Sequence, residues 1–358
     1  MDDVGQIIHF YKGKTVLVTG HTGFKGSWLS KILIMAGANV VGYSLEPPTE
    51  PNLFSILDLS ENMTSIIGDV RDFDRLKAVF DKYKPEIVFH LAAQPRVRYS
   101  YKEPRYTYDV NVLGTVNVCE CIRISKCVKS FLNVTTDKVY ENNDENNHAF
   151  VEEEKLDGFD PYSNSKSCSE LVTHSYWNSF LKEQNVAVST ARAGNVIGGG
   201  DFANDRIIPD CFRSIKNKSI LNIRNPHSTR PYQHVLEPLF CYLLIVKKQF
   251  ENKKYSGSYN IGPDIDNVLD TETLVKMFFE RFSNSSYASK PDTNGPHEAT
   301  FLCLNNSKMK NTFGWEPQLD CVSAISMTSD WYSHYLSNSD MKKVTEDQIK
   351  KFFGVIKW

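Results

Sequence analysis

Residues 14–37 read KTVLVTGHTGFKGSWLSKILIMAG, and this stretch decides the fold. A short run of β-branched and apolar residues leads into a turn with glycines at 20, 23 and 26, and an apolar stretch of helical length follows. A strand fed through a GxxGxxG turn into a helix gives a tight reversal, brings backbone close to a bound group and aims a helix N-terminus at it. A pyrophosphate needs all three: partial positive charge from unpaired amides, and no side chain in the way. Gly20, His21, Gly23, Phe24 and Gly26 are therefore read as contacts of a dinucleotide cofactor.

Working outward, ANVVGYS (38–44), SIIGD (65–69), EIVFHLAA (86–93), SFLNVTT (130–136) and VAVSTARA (186–193) are continuous apolar runs. Parallel strands covered on both faces have this character. Amphipathic stretches at 24–36, 71–83, 105–127 and 162–183 separate them. The alternation predicts an α/β fold with a Rossmann-type, doubly wound parallel sheet, whose ligands bind beyond the carboxyl ends of the strands. Residues 1–193 form this dinucleotide-binding domain, rejoined by parts of 230–265 if SYNIG (258–262) returns to the sheet. Residues 194–335, rich in Gly, Asp, Asn and Pro, form a smaller, partly discontinuous substrate-binding region. The acidic, Asn-rich segment 141–157 is read as a loop. Residues 336–358 form an accessory helical tail whose Phe352, Phe353, Ile356 and Trp358 dock on the body or on another subunit.

Composition narrows the partners. Lys and Arg number 41 against 43 Asp and Glu, a net charge of -2. Without a basic excess, nucleic acid is excluded as a main partner, and any phosphate must be held by a few placed cations and backbone amides. Eight cysteines in 358 residues are too sparse for a disulfide scaffold. The Cys119/Cys121 pair lies in a helical pattern with no second Cys or His pair nearby, which reads as core packing and no metal site. The longest apolar run, Leu239 to Val246, is far too short to span a membrane. The opening MDDVGQIIHFYKGK has no apolar segment of the secretory kind. A reduced, cytoplasmic, soluble protein is expected.

Two further strand ends fit the cofactor. Asp69-Val70 offers a carboxylate to an adenine amino group, and Leu91-Ala92-Ala93 offers small residues along which a cofactor can lie. The acidic residue usual at the end of the second strand is missing, the sequence there being Tyr43-Ser44-Leu45-Glu46. No arginine stands there for a 2′-phosphate either, which favours NAD over NADP. Tyr162 and Lys166 form a YxxxK, one helical turn apart on the same face. A nearby ammonium lowers a phenol's pKa towards that of a usable general base. Thr136, at the end of the fifth strand, can hydrogen-bond the same substrate oxygen that Tyr162 deprotonates.

With these residues in hand, the chain resembles the extended short-chain dehydrogenase/reductase family, and within it the nucleotide-sugar 4,6-dehydratases. VTGHTGFKGSWLS, HLAAQPRVRYSY, TTDKVYEN, DPYSNSKSCSELV, ARAGNVIGGGDF, IRNPHSTRPYQHVLEP and the PHEA and FGWEP segments carry the resemblance, in order, over residues 15 to 317. It is closest to the branch that takes CDP-glucose. The resemblance implies a lyase that oxidises the sugar at C4 with NAD, loses water across C5–C6 and reduces C6, leaving a 4-keto-6-deoxy sugar. By family position Asp137 and Lys138 are the elimination pair, where related dehydratases have Asp-Glu. Lys138 either takes the C5 proton, which demands a neutral amine, or stabilises the enolate while another group or water takes it. Arg206 and Arg230 stand where the family places phosphate-binding cations, with Asn195 adding an amide. His297 and Glu298 meet the nucleotide or sugar, and Gln94 and Arg96, or Ser100 beyond them, the hexose. A nucleotide-sugar epimerase, or a dehydratase for another nucleotide sugar, is the alternative. An epimerase has no use for an elimination acid. The helices near 99–127 and 162–183 match the family's intersubunit bundle, which implies a homodimer or tetramer.

Overall fold

A computed structural model describes residues 4–142, 148–283, 285–290 and 302–354. Seven strands build one parallel sheet: β1 Thr15–Thr19, β2 Asn39–Ser44, β3 Thr64–Ile67, β4 Ile87–His90, β5 Ser130–Val134, β6 Ala187–Ala193 and β7 Gly257–Ile261. Their spatial order is β7-β6-β5-β4-β1-β2-β3. Successive side chains leave the sheet on opposite faces. Val16, Val18, Ile87, Phe89 and Leu132 enter one core, while Leu17, Val88 and Phe131 enter the other. Both faces are covered, so the strands are predominantly apolar, and the polar residues they do carry, such as Asn133 and Arg192, are buried and hydrogen-bonded. The late strand β7 does return to the main sheet, pairing in parallel with β6. Cys119 and Cys121 are buried in the second core.

Strand order reverses between β1 and β4, which leaves a crevice where their carboxyl ends diverge. Helix α1, Phe24–Met35, opens directly from the glycine turn. Helix α2, Pro161–Tyr176, is set by its own sequence: the Asp160 carboxylate accepts from the amides of Tyr162 (2.9 Å) and Ser163 (3.1 Å), and Pro161 supplies the first turn. That cap fixes the register bringing Tyr162 and Lys166 to the crevice. The helix expected over 105–127 is broader than a plain α-helix. A π turn at Asp109–Leu113 interrupts it, and the Asn111 side chain clamps Gln94 through both its amide (2.8 Å) and its carbonyl (3.1 Å).

The segment 141–157 departs from its reading as a loop. Ala149–Phe150 pairs in parallel with Cys303–Leu304, Phe150 stacks on Tyr140 at 4.9 Å, and the buried Glu152 carboxylate accepts from Asn260 N at 2.8 Å. The polar composition concealed a small apolar cluster of Val139, Tyr140, Phe150, Leu302 and Leu304. Residues 143–147 lie outside the described residues. The tail helix, Met341–Phe353, docks on the body of its own chain: Phe352 and Phe353 are buried beside Phe240, and Trp331 Nε1 donates to Thr345 Oγ1 at 3.0 Å. Ile356 and Trp358 lie outside the described residues. Among the described residues no helix is long and apolar enough to cross a membrane.

Candidate active site

A cleft of about 830 Å³ opens at the carboxyl ends of β1, β4, β5 and β6. Its floor is the glycine turn. Gly20 has φ +78°, and a Cβ there would lie 2.8 Å from Ala92 N; a Cβ on Gly26 would lie 2.0 Å from the Gly20 carbonyl oxygen. The turn can close only with glycine at both places. No side chain caps α1, so its first amides are left to the cleft that Phe24, Lys25 and Gly26 line. Small or apolar residues form the adjoining wall: Val70, Leu91, Ala92, Ala93 and Val134. A dinucleotide fits this cradle: amides for a pyrophosphate, and backbone approach without obstruction.

His21 does not face the cleft. Its ring lies beneath the turn, fully buried, with Nε2 2.7 Å from Ser65 Oγ, and a Cβ on Gly42 would meet the ring at 2.3 Å. Burial holds this imidazole down at about 4, so it packs as a neutral spacer between turn and sheet. The ring offers a cofactor no side-chain contact, which leaves the backbone of His21 for the contact expected from the turn; the physical reason is the gap left by Gly42, which the ring fills. Asp69 does line the cleft, gripped by Arg71 Nη2 at 2.7 Å. The turn is further tied to β2 by Thr22 Oγ1, 2.9 Å from Ser44 Oγ.

Tyr162, Lys166 and Thr136 converge at the end of β5, all on the wall of the cleft. The Thr136 hydroxyl lies within hydrogen-bond reach of the Tyr162 phenol and donates to Asp137 Oδ1 at 2.9 Å. Lys138 Nζ donates to the same carboxylate oxygen, also at 2.9 Å. Asp137 is sealed from water behind these neighbours, and its Oδ2 has no hydrogen-bond partner among the described residues. An orphaned, buried carboxylate oxygen is costly unless a ligand supplies the donor.

Lys166 Nζ donates to the Val134 carbonyl at 3.0 Å. Burial lowers its amine to about 8, against the pull of the Glu170 carboxylate. The sequence leads one to expect that this ammonium depresses the phenol. Instead, burial pushes Tyr162 up to about 12; the Thr136 hydrogen bond and the Arg206 charge pull down, while the Asp137 and Asp160 charges push up. The pocket thus holds a neutral phenol, because desolvation outweighs the cations of the protein.

Glu170 is a residue the sequence reading missed. It lies four residues beyond Lys166 on α2, and its spacing alone puts it on the same face. Its carboxylate takes Arg192 Nε and Nη2, both at 3.0 Å, Thr190 Oγ1 at 2.6 Å, and the Thr135 hydroxyl. This fully satisfied buried pair ties β5, β6 and α2 together directly behind the tyrosine and lysine. Lys25 and Asp201 were missed too, although both stand inside segments quoted for their glycines.

On the far wall, Arg206 immediately precedes the helix Ile207–Asn217, makes no capping bond to it, and pairs with Asp201 at 2.8 Å. Arg230, Asn195 and Arg96 also line the cleft. Gln94 lines it as well, but its side chain is spent internally: Nε2 donates to Thr107 Oγ1 (2.9 Å) and Oε1 accepts from Arg96 N (2.7 Å). It shapes the wall more than it offers hydrogen bonds. His297 and Glu298 lie outside the described residues.

Comparison with known proteins agrees with this geometry. The sequence profile of the family described as GDP-mannose 4,6 dehydratase matches residues 17–328. A CDP-glucose 4,6-dehydratase of Salmonella typhimurium is 43% identical, over 97% of this chain and 98% of that protein. The human dTDP-D-glucose 4,6-dehydratase is 27% identical over 91% of each chain. Among solved structures, the epimerase Mth375 of Methanothermobacter thermautotrophicus superposes with a TM-score of 0.80 at 24% identity, covering 96% of this chain and 98% of that one. The dTDP-glucose 4,6-dehydratase of Bacillus anthracis, in complex with NAD, gives 0.73 at 21% identity, covering 93% and 100%. With the family's profile spanning most of the sequence and its motif residues gathered around one cleft, the chain belongs to the GDP-mannose 4,6-dehydratase family.

Proposed function

We propose that the protein is an NAD-dependent CDP-glucose 4,6-dehydratase, converting CDP-D-glucose to CDP-4-keto-6-deoxyglucose. The observation that carries this reading is the hydrogen-bonded run Thr136–Asp137–Lys138 at the end of β5, on the cleft wall that Thr136 shares with Tyr162. A 4-epimerase needs the tyrosine and the threonine but has no use for a carboxylate bonded directly behind the threonine. The high identity to the Salmonella typhimurium dehydratase supports CDP-glucose as the nucleotide sugar.

NAD, when bound, supplies the reversible oxidation at C4 and reduction at C6. Gly20, Gly23, Phe24, Gly26, Asp69, Val70, Leu91, Ala92, Ala93, Tyr162 and Lys166 hold it. Tyr162 takes the O4 proton. A phenol standing at about 12 cannot do this unaided at neutral pH. A further positive charge close to it is worth about a thousandfold in acidity at the effective dielectric of a protein site, which the positively charged nicotinamide ring of NAD would supply. Thr136 steadies O4 and connects Tyr162 to Asp137, giving the collected proton a hydroxyl path towards the group that protonates the departing O6. Lys138, while paired to Asp137, is an ammonium, which favours its enolate-stabilising role over that of C5 base. Arg206 and Arg230, with the Asn195 amide, grip the substrate's diphosphate, and Arg96 meets the hexose.

The experiment is turnover of CDP-, dTDP-, UDP- and GDP-glucose with product NMR in deuterated water. CDP-glucose should give a 6-deoxy product with deuterium at C5 and the original C4 hydrogen at C6. An intact C6 hydroxyl with inverted C4 would establish the epimerase instead.

The protein is also proposed to work as a homodimer or tetramer. Leu113, Leu171 and Phe180, on the helices of 104–125 and 161–181, are 47%, 55% and 43% exposed, a high exposure for large apolar residues on neighbouring helices. Light scattering at micromolar concentration should give at least twice the chain mass; a monodisperse monomer would refute it.

A further inference from the structure

The glycine turn carries a cation of its own, Lys25, which the mechanism above does not use. It occupies the second position of α1, where a positive charge opposes the helix dipole, and no acidic residue stands in that first turn to offset it. Its side chain lines the cleft. The charged groups that face it come from three other elements: Arg206 before the helix Ile207–Asn217, Lys166 on α2, and Asp137 and Lys138 after β5. Three of these four are cations. The one carboxylate is already bonded to Thr136 and Lys138. Among the described residues the Lys25 amine meets no hydrogen-bond or ion-pair partner. Burial, and then the charges of Arg206 and Lys166, hold it down to about 7.

A protein gains nothing by crowding an unpaired lysine against other cations at a helix N-terminus, unless an anion of more than one charge fills the space between them. We propose that Lys25 is a diphosphate-binding residue, reaching from the glycine turn to a nucleoside diphosphate in the cleft and taking up a proton as that ligand arrives. This rests on the nucleotide-dependent reading of the cleft given above. The diphosphate is that of the cofactor or that of the nucleotide sugar; the turn favours the first, and the nearness of Arg206 leaves the second in reach. The glycines supply the amides in either case. Lys25 adds a full charge to those amides.

The test is isothermal titration calorimetry of the full chain with NAD and, separately, with CDP, in buffers of different ionisation enthalpy at pH 6 and pH 8. A lysine standing at about 7 is largely charged at pH 6 and largely neutral at pH 8. Wild type should therefore take up most of one proton per ligand at pH 8 and little at pH 6. K25M should lose most of that uptake, the remainder belonging to Lys166, and should bind the same ligand roughly ten- to a hundredfold more weakly, the loss expected for one charge-assisted hydrogen bond. K25R, charged at every pH, should keep the affinity and lose the uptake, which separates a missing charge from a disturbed turn. An effect with NAD places the lysine on the cofactor, and one with CDP places it on the substrate; either supports the inference. Wild-type binding without uptake at pH 8, with K25M within twofold in affinity for both ligands, overturns it and leaves the proposed function standing. A wild type that binds neither NAD nor CDP overturns both.

Discussion

Tyr162→Phe should lower CDP-glucose turnover by about a thousandfold or more while leaving NAD affinity within a few-fold. The ring is buried and its volume is kept, so neither the cap at Asp160 nor the packing of α2 is disturbed. What disappears is the phenol oxygen beside Thr136 on the cleft wall, the group proposed to take the proton of the sugar's O4. No other group on that wall replaces it: Lys166 is turned to the Val134 carbonyl, and Asp137 is shut behind Thr136 and Lys138. Because oxidation at C4 comes first, the variant should form no reduced nicotinamide in a single turnover and exchange no C5 hydrogen with solvent. A rate within tenfold of wild type would remove Tyr162 from the chemistry. So would solvent exchange at C5 in its absence.

How much of this was legible beforehand follows from the range over which each feature is specified. The sheet announced itself because each strand is covered on both faces and so is mostly apolar; no long-range knowledge is needed to see that. The GxxGxxG turn and the YxxxK pair were equally plain, since each is fixed within a single turn or helix. The failures are features completed by distant residues. Whether His21 faces cofactor or sheet depends on Gly42 and Ser65, which β2 and β3 bring beneath it. Whether Tyr162 is acidified depends on the balance of burial against Arg206, Asp137 and Asp160, drawn from separate segments. The Glu170–Arg192 pair joins α2 to β6, and nothing local to either residue reveals the other. Lys25 stood in plain view within the glycine motif. Only its surroundings make it unusual, and those come from residues more than a hundred positions away.

Asp137→Asn should divide the reaction in two. Asparagine keeps the shape and can still accept from Thr136, but it removes the charge that holds Lys138 and the carboxyl that can deliver a proton. Loss of a positioned general acid typically costs about 10²–10⁴-fold, and the loss should fall on the elimination. Oxidation at C4 relies on Tyr162, Thr136 and Lys166 and should persist. Mixed with CDP-glucose, the variant should therefore build up the absorbance of reduced nicotinamide and hold it, where wild type returns it to C6. If the C5 base is a group other than Asp137, deuterium from solvent should also enter C5 of recovered, still 6-hydroxylated sugar, since the 4-keto intermediate keeps reversing. Asp137 is closed off from the cleft and meets it only through Thr136 and Lys138, both bonded to its Oδ1, so any proton it delivers passes through one of these two groups. The O6 hydroxyl is the group the elimination must protonate. Full turnover by D137N within tenfold of wild type, with no build-up of reduced cofactor, would refute the assignment and leave Asp137 as the electrostatic anchor of Lys138.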